Sequence, residues 1–177
     1  VTWVEPDADG VITPDALRAA LEEGEGPDDV AVVSVMWANN EIGTVQDVPA
    51  LAEVCRAAGV PLHTDAVQAL GQVDLPLAGL GSGSAPDLVA LTGHKVGGPV
   101  GSGLLLAARG QSPVPALRGG GQERGLRPGT LNVAGVAGLA TAVRYAVTHR
   151  AEHAARIGAL RDRLIQGALG IDPTLRV

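Results

Sequence analysis

One lysine, Lys95, stands among 13 basic residues that are otherwise all arginine. Any chemistry that needs a primary side-chain amine therefore has a single candidate. An amine that attacks an aldehyde must be partly neutral, which burial or nearby positive charge arranges. Lys95 closes the run Thr92-Gly93-His94-Lys95 and precedes Val96-Gly97-Gly98-Pro99-Val100-Gly101-Ser102-Gly103, a loop able to pass close to a bulky ligand. The same position also reads as an exposed lysine on a turn. Asp65, in Leu62-His63-Thr64-Asp65-Ala66-Val67-Gln68, is a carboxylate able to keep a ring nitrogen protonated, with Gln68 able to bond a ring hydroxyl. Asp65 and Gln68 equally read as a helix N-cap and its capping-box partner. In Trp37-Ala38-Asn39-Asn40-Glu41-Ile42-Gly43-Thr44, an amide could hold a ring oxygen or a substrate carboxylate, or the two Asn residues could simply form a turn. None of the three clusters decides between its alternatives alone, and none carries a metal-ligand pattern.

These clusters need elements to position them. Residues 1–4 read as a short strand followed by a turn-rich stretch. Thr13-Pro14-Asp15 offers an N-cap with proline at the first helical position, predicting a helix to about residue 23. Residues 30–37 are a nearly continuous Val-rich run, which reads as a strand buried on both faces of a parallel sheet. Asp47-Val48-Pro49 opens a second helix, with Gly59 as its stop. Residues 60–63 form a strand that delivers Thr64 and Asp65 at its carboxyl end. Residues 80–86 read as a loop and 87–91 as another buried strand, and 103–108 follow as a hairpin-like strand. From residue 132 to about 169 the pattern is helical, in two segments joined near residues 149–152. The alternation predicts an α/β architecture: a mostly parallel sheet with flanking helices. Ligands of such sheets sit at the carboxyl ends of the strands. Asn39-Asn40, Asp65 and His94-Lys95 each follow a predicted strand, so they are expected on one edge.

The 177 residues are enough for one ordinary domain, and at 46% hydrophobic they can bury a core. With only Trp3, Trp37 and Tyr145 as aromatics, that core must be aliphatic. A net charge of −6 argues against nucleic acid or an anionic membrane as partner. No apolar run approaches the roughly 20 residues of a membrane span. The one cysteine, Cys55, excludes an internal disulfide and makes a reducing, cytoplasmic setting the expectation. It lies beside Leu51 and Val54 and reads as a small core residue. A start at Val1 without Met reads as a fragment of a longer chain. The glycine-rich pieces Gly81-Ser82-Gly83 and Gly101-Ser102-Gly103 do not open a helix after a first strand, so dinucleotide binding is set aside.

Taken together, Asn39-Asn40-Glu41-Ile42-Gly43, His63-Thr64-Asp65-Ala66-Val67-Gln68, Thr92-Gly93-His94-Lys95 and Gly119-Gly120-Gly121-Gln122-Glu123-Arg124-Gly125-Leu126-Arg127-Pro128-Gly129-Thr130 resemble a known family. In this order and spacing, over residues 1–142, they are similar to the cysteine desulfurases, on the class V aminotransferase branch of the pyridoxal 5'-phosphate (PLP) enzymes. The resemblance implies an aspartate-aminotransferase-like fold, with residues 1–145 as part of the large PLP-binding domain. Residues 146–177 would be the helical start of the C-terminal small domain. It implies Lys95 as the Schiff-base lysine and proton shuttle at the substrate α-carbon, and Asp65 against the pyridine nitrogen. Gln68 would bond the ring hydroxyl, with Asn40 beside it and directed toward the substrate carboxylate. Thr92, Gly93 and His94 would hold the phosphate. Thr130 would reach the phosphate in a partner subunit, which implies a homodimer. The substrate would be L-cysteine, and a sulfur-acceptor protein would serve iron–sulfur cluster assembly or tRNA thiolation.

The chain also departs from the family pattern. The sulfur-accepting cysteine on a mobile C-terminal loop and the upstream histidine that stacks on the cofactor have no counterpart here. His149 and His153 read as a solvated helix face. Pro128 stands where the family often has serine, removing a backbone donor beside Thr130. Residues 79–86 form a longer loop than usual. Two function classes remain: a PLP-dependent desulfurase (or a related selenocysteine lyase, or another class V lyase or transaminase), or a non-catalytic truncated dimerising module.

Overall fold

The structure is a computed structural model that describes residues 1–176. Helix α1, Pro14–Leu21, begins where Thr13 accepts the Ala16 N–H at 3.1 Å and Pro14 sets the first turn. It buries Leu17 and Leu21. Helix α2, Val48–Ala57, repeats the device, with the Asp47 carboxylate accepting the Ala50 N–H at 3.1 Å. Its buried face is Val48, Leu51, Ala52, Val54 and Cys55. Gly59, at φ 72°, takes the left-handed turn that ends it.

The strands are β1 (Val33–Met36), β2 (Leu62–Asp65), β3 (Leu88–Thr92) and β4 (Gly103–Ala107), in sheet order β1-β2-β3-β4. The first three run parallel and β4 returns antiparallel to β3, so the hairpin-like expectation for that strand holds. Met36, Asp65 and Ala90 stand in register across β1, β2 and β3, which puts the carboxyl ends of all three at one edge.

The core lies on one side of the sheet. Leu62 and Thr64 of β2 and Val89 and Leu91 of β3 are buried in a cluster with α1, α2 and residues of the 66–80 segment. Truncating a fully buried leucine such as Leu62 to alanine would cost about 2–5 kcal/mol. The alternate residues, His63 and Asp65 of β2 and Leu88, Ala90 and Thr92 of β3, are only half-buried. The run at 30–37 is therefore not a strand buried on both faces: it forms the four-residue β1, in which Ser34 is exposed. Helices cover one face alone among the described residues, so the second apolar face implied by a Val-rich strand has no layer against it.

Two devices, one buried and one exposed, hold the amino end of β3. Asp87 accepts the Leu62 N–H on its carboxylate at 2.9 Å, donates its own N–H to the Leu62 carbonyl at 2.9 Å, and takes the Ala108 N–H at 2.8 Å. Arg56 of α2 donates to three carbonyls of the preceding loop: Gly83 at 2.7 Å, Gly81 at 3.0 Å and Ala85 at 2.8 Å. The long loop at 79–86 is thus tied to α2 by one forked side chain.

Helix α3 runs unbroken from Val133 to Ile171, capped by Asn132 through the Gly135 N–H at 2.9 Å. The expected junction near residues 149–152 is absent. The polar run there interrupts the apolar pattern, but it contains no proline or glycine to break the hydrogen-bond ladder. Residues 1–4 form no strand: no ladder partner lies beside them, and Trp3 is 83% exposed, with only Val4 packed against the core.

Candidate active site

The edge where β1, β2 and β3 end carries most of the residues singled out from sequence. After β1, the chain bends back at Asn39. Its N–H donates to the Thr44 carbonyl at 2.9 Å, and its side-chain oxygen accepts from Glu41 N–H at 2.8 Å and Ile42 N–H at 3.1 Å. Asn39 is therefore the turn former of the pair. Asn40 is exposed, with its amide donating to Glu41 at 2.9 Å.

Asp65 ends β2, with Trp37 N–H donating to its backbone carbonyl at 2.8 Å. Its carboxylate accepts one hydrogen bond, from Val67 N–H at 2.9 Å. That i to i+2 bond makes an Asx turn, and the segment after it is a series of turns, so Asp65 is not a helix cap. No cation pairs with Asp65 among the described residues. Gln68 follows one turn later, half-buried and without a capping-box bond.

β3 ends at Thr92, and the chain passes through Gly93 into a short 3-10 turn, His94–Val96, that carries Lys95. Gly93 sits in a tight corner. A Cβ there would stand 2.3 Å from Ser102 Oγ and 3.0 Å from the Pro99 carbonyl, so no larger residue fits. The corner is closed by Gly93 N–H donating to the Ser102 carbonyl at 2.9 Å and by Val96 N–H and Gly98 N–H both donating to the Gly93 carbonyl, at 3.0 and 2.8 Å. Ser102 Oγ donates to the Pro99 carbonyl at 2.6 Å. Thr92 Oγ1 lies 3.1 Å from His94 Nδ1, and Lys95 is exposed with no carboxylate partner among the described residues.

This donor set fits PLP. It offers a carboxylate for a ring nitrogen and an amine, neither with an ion-pair partner among the described residues, and a hydroxyl–imidazole pair beside a corner open only to glycine. Thr130 is not joined to this group. It is exposed, in a segment held by local bonds such as Gly129 N–H to Gln122 Oε1 at 3.2 Å. Within that segment Glu123 and Arg124 adopt left-handed φ values of 48° and 59°, a strain of about 1–2 kcal/mol for each non-glycine residue.

One polar pair near the site was missed in the sequence. His63 Nδ1 lies 2.9 Å from Ser34 Oγ, on the sheet face that Asp65 shares. The period of two along β2 puts His63 and Asp65 on one side, which is the signal that could have found it. Cys55 lies elsewhere, wholly buried in the α2 face. Burial, with the charge of Asp87 adding to it, pushes its thiol up to about 11.

Known proteins resemble the chain in both sequence and fold. The aminotransferase class-V family model matches residues 1–174. An IscS-like cysteine desulfurase of Mycobacterium tuberculosis is 47% identical over 169 residues, 96% of this chain and 41% of the relative. Cysteine desulfurase IscS of Methanosarcina thermophila is 41% identical over 174 residues, 98% of this chain and 41% of the relative. Among solved structures, a NifS-like protein superposes with TM-score 0.87 at 34% identity, covering 97% of this chain and 45% of that one. DndA from Streptomyces lividans follows with TM-score 0.78 at 35% identity, covering 93% and 45%. The chain thus spans about two-fifths of the length of the curated relatives it matches, and on the family match over nearly its whole length it belongs to the class V aminotransferases, with the fold of their NifS-like members.

Proposed function

We propose that these residues are the cofactor-binding middle of a PLP-dependent cysteine desulfurase, which converts L-cysteine to L-alanine and passes the sulfur to an enzyme cysteine. The carrying observation is the shared edge of β1, β2 and β3, which carries both the Asp65 carboxylate and the Thr92–Lys95 corner in a chain 47% identical to a protein named as an IscS-like cysteine desulfurase. PLP, when bound, supplies the electron sink for bond breaking at the substrate.

In this reading Asp65 faces the ring nitrogen and keeps it protonated, Gln68 bonds the ring hydroxyl, and Asn40 is directed to the substrate carboxylate. Thr92, Gly93 and His94 hold the phosphate. Lys95 holds the cofactor covalently and moves the proton at the substrate α-carbon. Thr130 reaches the phosphate of a partner subunit, so the parent protein is a homodimer. The dimer contact would also hold Glu123 and Arg124 in their strained conformations. The sulfur leaves the substrate for a cysteine thiolate outside these residues, and a sulfur-acceptor protein then takes it onward. Cys55 is excluded from that role by its burial.

We also assign residues 1–145 to the large cofactor-binding domain and residues 146–177 to the start of the small domain. Ala146 is the last buried residue of α3, and beyond it Leu164 and Ile171 are 74% and 88% exposed, which supports that division. No helix among the described residues is long and apolar enough to cross a membrane. A cytoplasmic setting for the parent protein is part of this reading.

Adding PLP to the purified chain tests the reading. A visible absorbance band that a Lys95→Ala variant lacks is expected. A folded sample that gives no such band would favour the truncated, non-catalytic module, a reading that the buried Cys55 also fits. The 177-residue chain itself is expected to release no sulfide from cysteine; release at the rate of a full-length relative would show that sulfur transfer needs nothing beyond it.

A further inference from the structure

We propose that His149 and His153 on helix α3 form a two-imidazole site for a borderline divalent transition-metal ion of the zinc, nickel and copper class. Nothing in this inference rests on the cofactor reading. Residues four apart on a helix stack on one face, and the two imidazole centroids lie 6.1 Å apart with their planes inclined by 27°. A histidine that binds zinc at 2.0–2.1 Å keeps its ring centre about 3 Å from the ion. Tetrahedral coordination brings two such ring centres to roughly 5 Å, so the rings, now 6.1 Å apart, would close on one ion by side-chain rotation.

The second observation is how His149 is held. Its Nδ1 lies 2.9 Å from the Tyr145 backbone carbonyl. A carbonyl only accepts, so Nδ1 carries the proton and Nε2 is left with a free lone pair. A bound imidazole characteristically donates its other ring N–H in this way, which fixes the tautomer and the ring direction. The Tyr145 ring stacks on His149 at 4.1 Å and tilts against His153 at 5.9 Å, so both rings are braced before an ion arrives. Both histidines are half-buried. Arg150 is drawn toward Asp74 by an ion pair at 3.0 Å, away from the seam. Arg156, one turn beyond His153, adds positive charge on that side and limits the affinity. Imidazole ligands select zinc, copper and nickel over magnesium or calcium, and two protein ligands leave the remaining positions to water.

The test is a calorimetric titration of the full-length protein with Zn²⁺ alone, with Mg²⁺ as the contrasting ion. One saturable equivalent of Zn²⁺ is expected, without a matching signal from Mg²⁺. His149→Ala and His153→Ala should each weaken that binding tenfold or more while circular dichroism stays unchanged. With Cu²⁺ as a paramagnetic probe, the ring protons of His149 and His153 should broaden before those of His63 and His94. Wild-type affinity in both variants, or no saturable Zn²⁺ binding below about 1 mM, would overturn the proposal.

Discussion

Thr92 Oγ1 stands 3.1 Å from His94 Nδ1 and 3.2 Å from the Ser102 carbonyl. A hydroxyl has one proton and a carbonyl can only accept, so that proton goes to Ser102. His94 Nδ1–H must then donate to Thr92, which turns Nε2 outward. The two residues hold each other at the end of β3 beside the corner that admits only Gly93. Thr92→Val keeps the shape and removes both roles of the hydroxyl. About 1 kcal/mol is lost with one such bond, so PLP affinity should fall roughly fivefold to tenfold in an absorbance titration. Unchanged affinity would remove Thr92 and its hold on His94 from the phosphate site.

Arg56 is the only side chain with hydrogen bonds to three carbonyls of the 79–86 loop among the described residues. An ammonium cannot reproduce the planar fork. Arg56→Lys should therefore lose most of what Arg56→Ala loses, about 1–2 kcal/mol of stability because the side chain is largely exposed. Urea denaturation of the two variants side by side checks this, and a Lys variant as stable as the parent would show that charge alone suffices.

Thr64 Oγ1 is fully buried, with no hydrogen-bond partner among the described residues. It faces the helices while Asp65, its neighbour, faces the open side of the sheet. A buried hydroxyl left unpaired costs about 1–3 kcal/mol, and valine has nearly the same shape. Thr64→Val should raise the unfolding midpoint, and PLP binding should stay as it was. A lower midpoint would mean that the hydroxyl finds a partner in solution, such as a buried water.

Cys55 has its thiol raised from 9.0 to about 11 by burial first and by Asp87 second. The folded chain therefore keeps this proton at pH values where the unfolded chain has released it. Since the unfolded state binds fewer protons there, the Cys55 contribution to stability is complete below pH 9.0 and falls as pH rises toward about 11. Iodoacetamide should label Cys55 slowly in the native chain and quickly in denaturant at pH 8.5. Fast native labelling would contradict the burial.

The sequence by itself determined where α1 and α2 begin, the parallel strands and the edge where the chemistry collects. Thr13-Pro14 and Asp47-Val48-Pro49 carry their helix starts locally, because a cap and a proline act within one turn. Asp65 and the Thr92–Lys95 run were readable as edge residues because parallel strands point the same way, so polar residues just past them must gather.

Only the tertiary structure decided the local bonding of these residues. Asp65 makes an Asx turn instead of a helix cap because the chain after it turns back toward the core. The Ser34–His63 pair on the outer face of the sheet depends on a β1–β2 register that joins residues 29 apart. The reach of Arg56 to carbonyls more than 20 positions away is likewise invisible in the sequence around it. Helix caps and strand periods are local and leave a mark within a few residues, whereas register and side-chain reach exist only once distant segments have packed together.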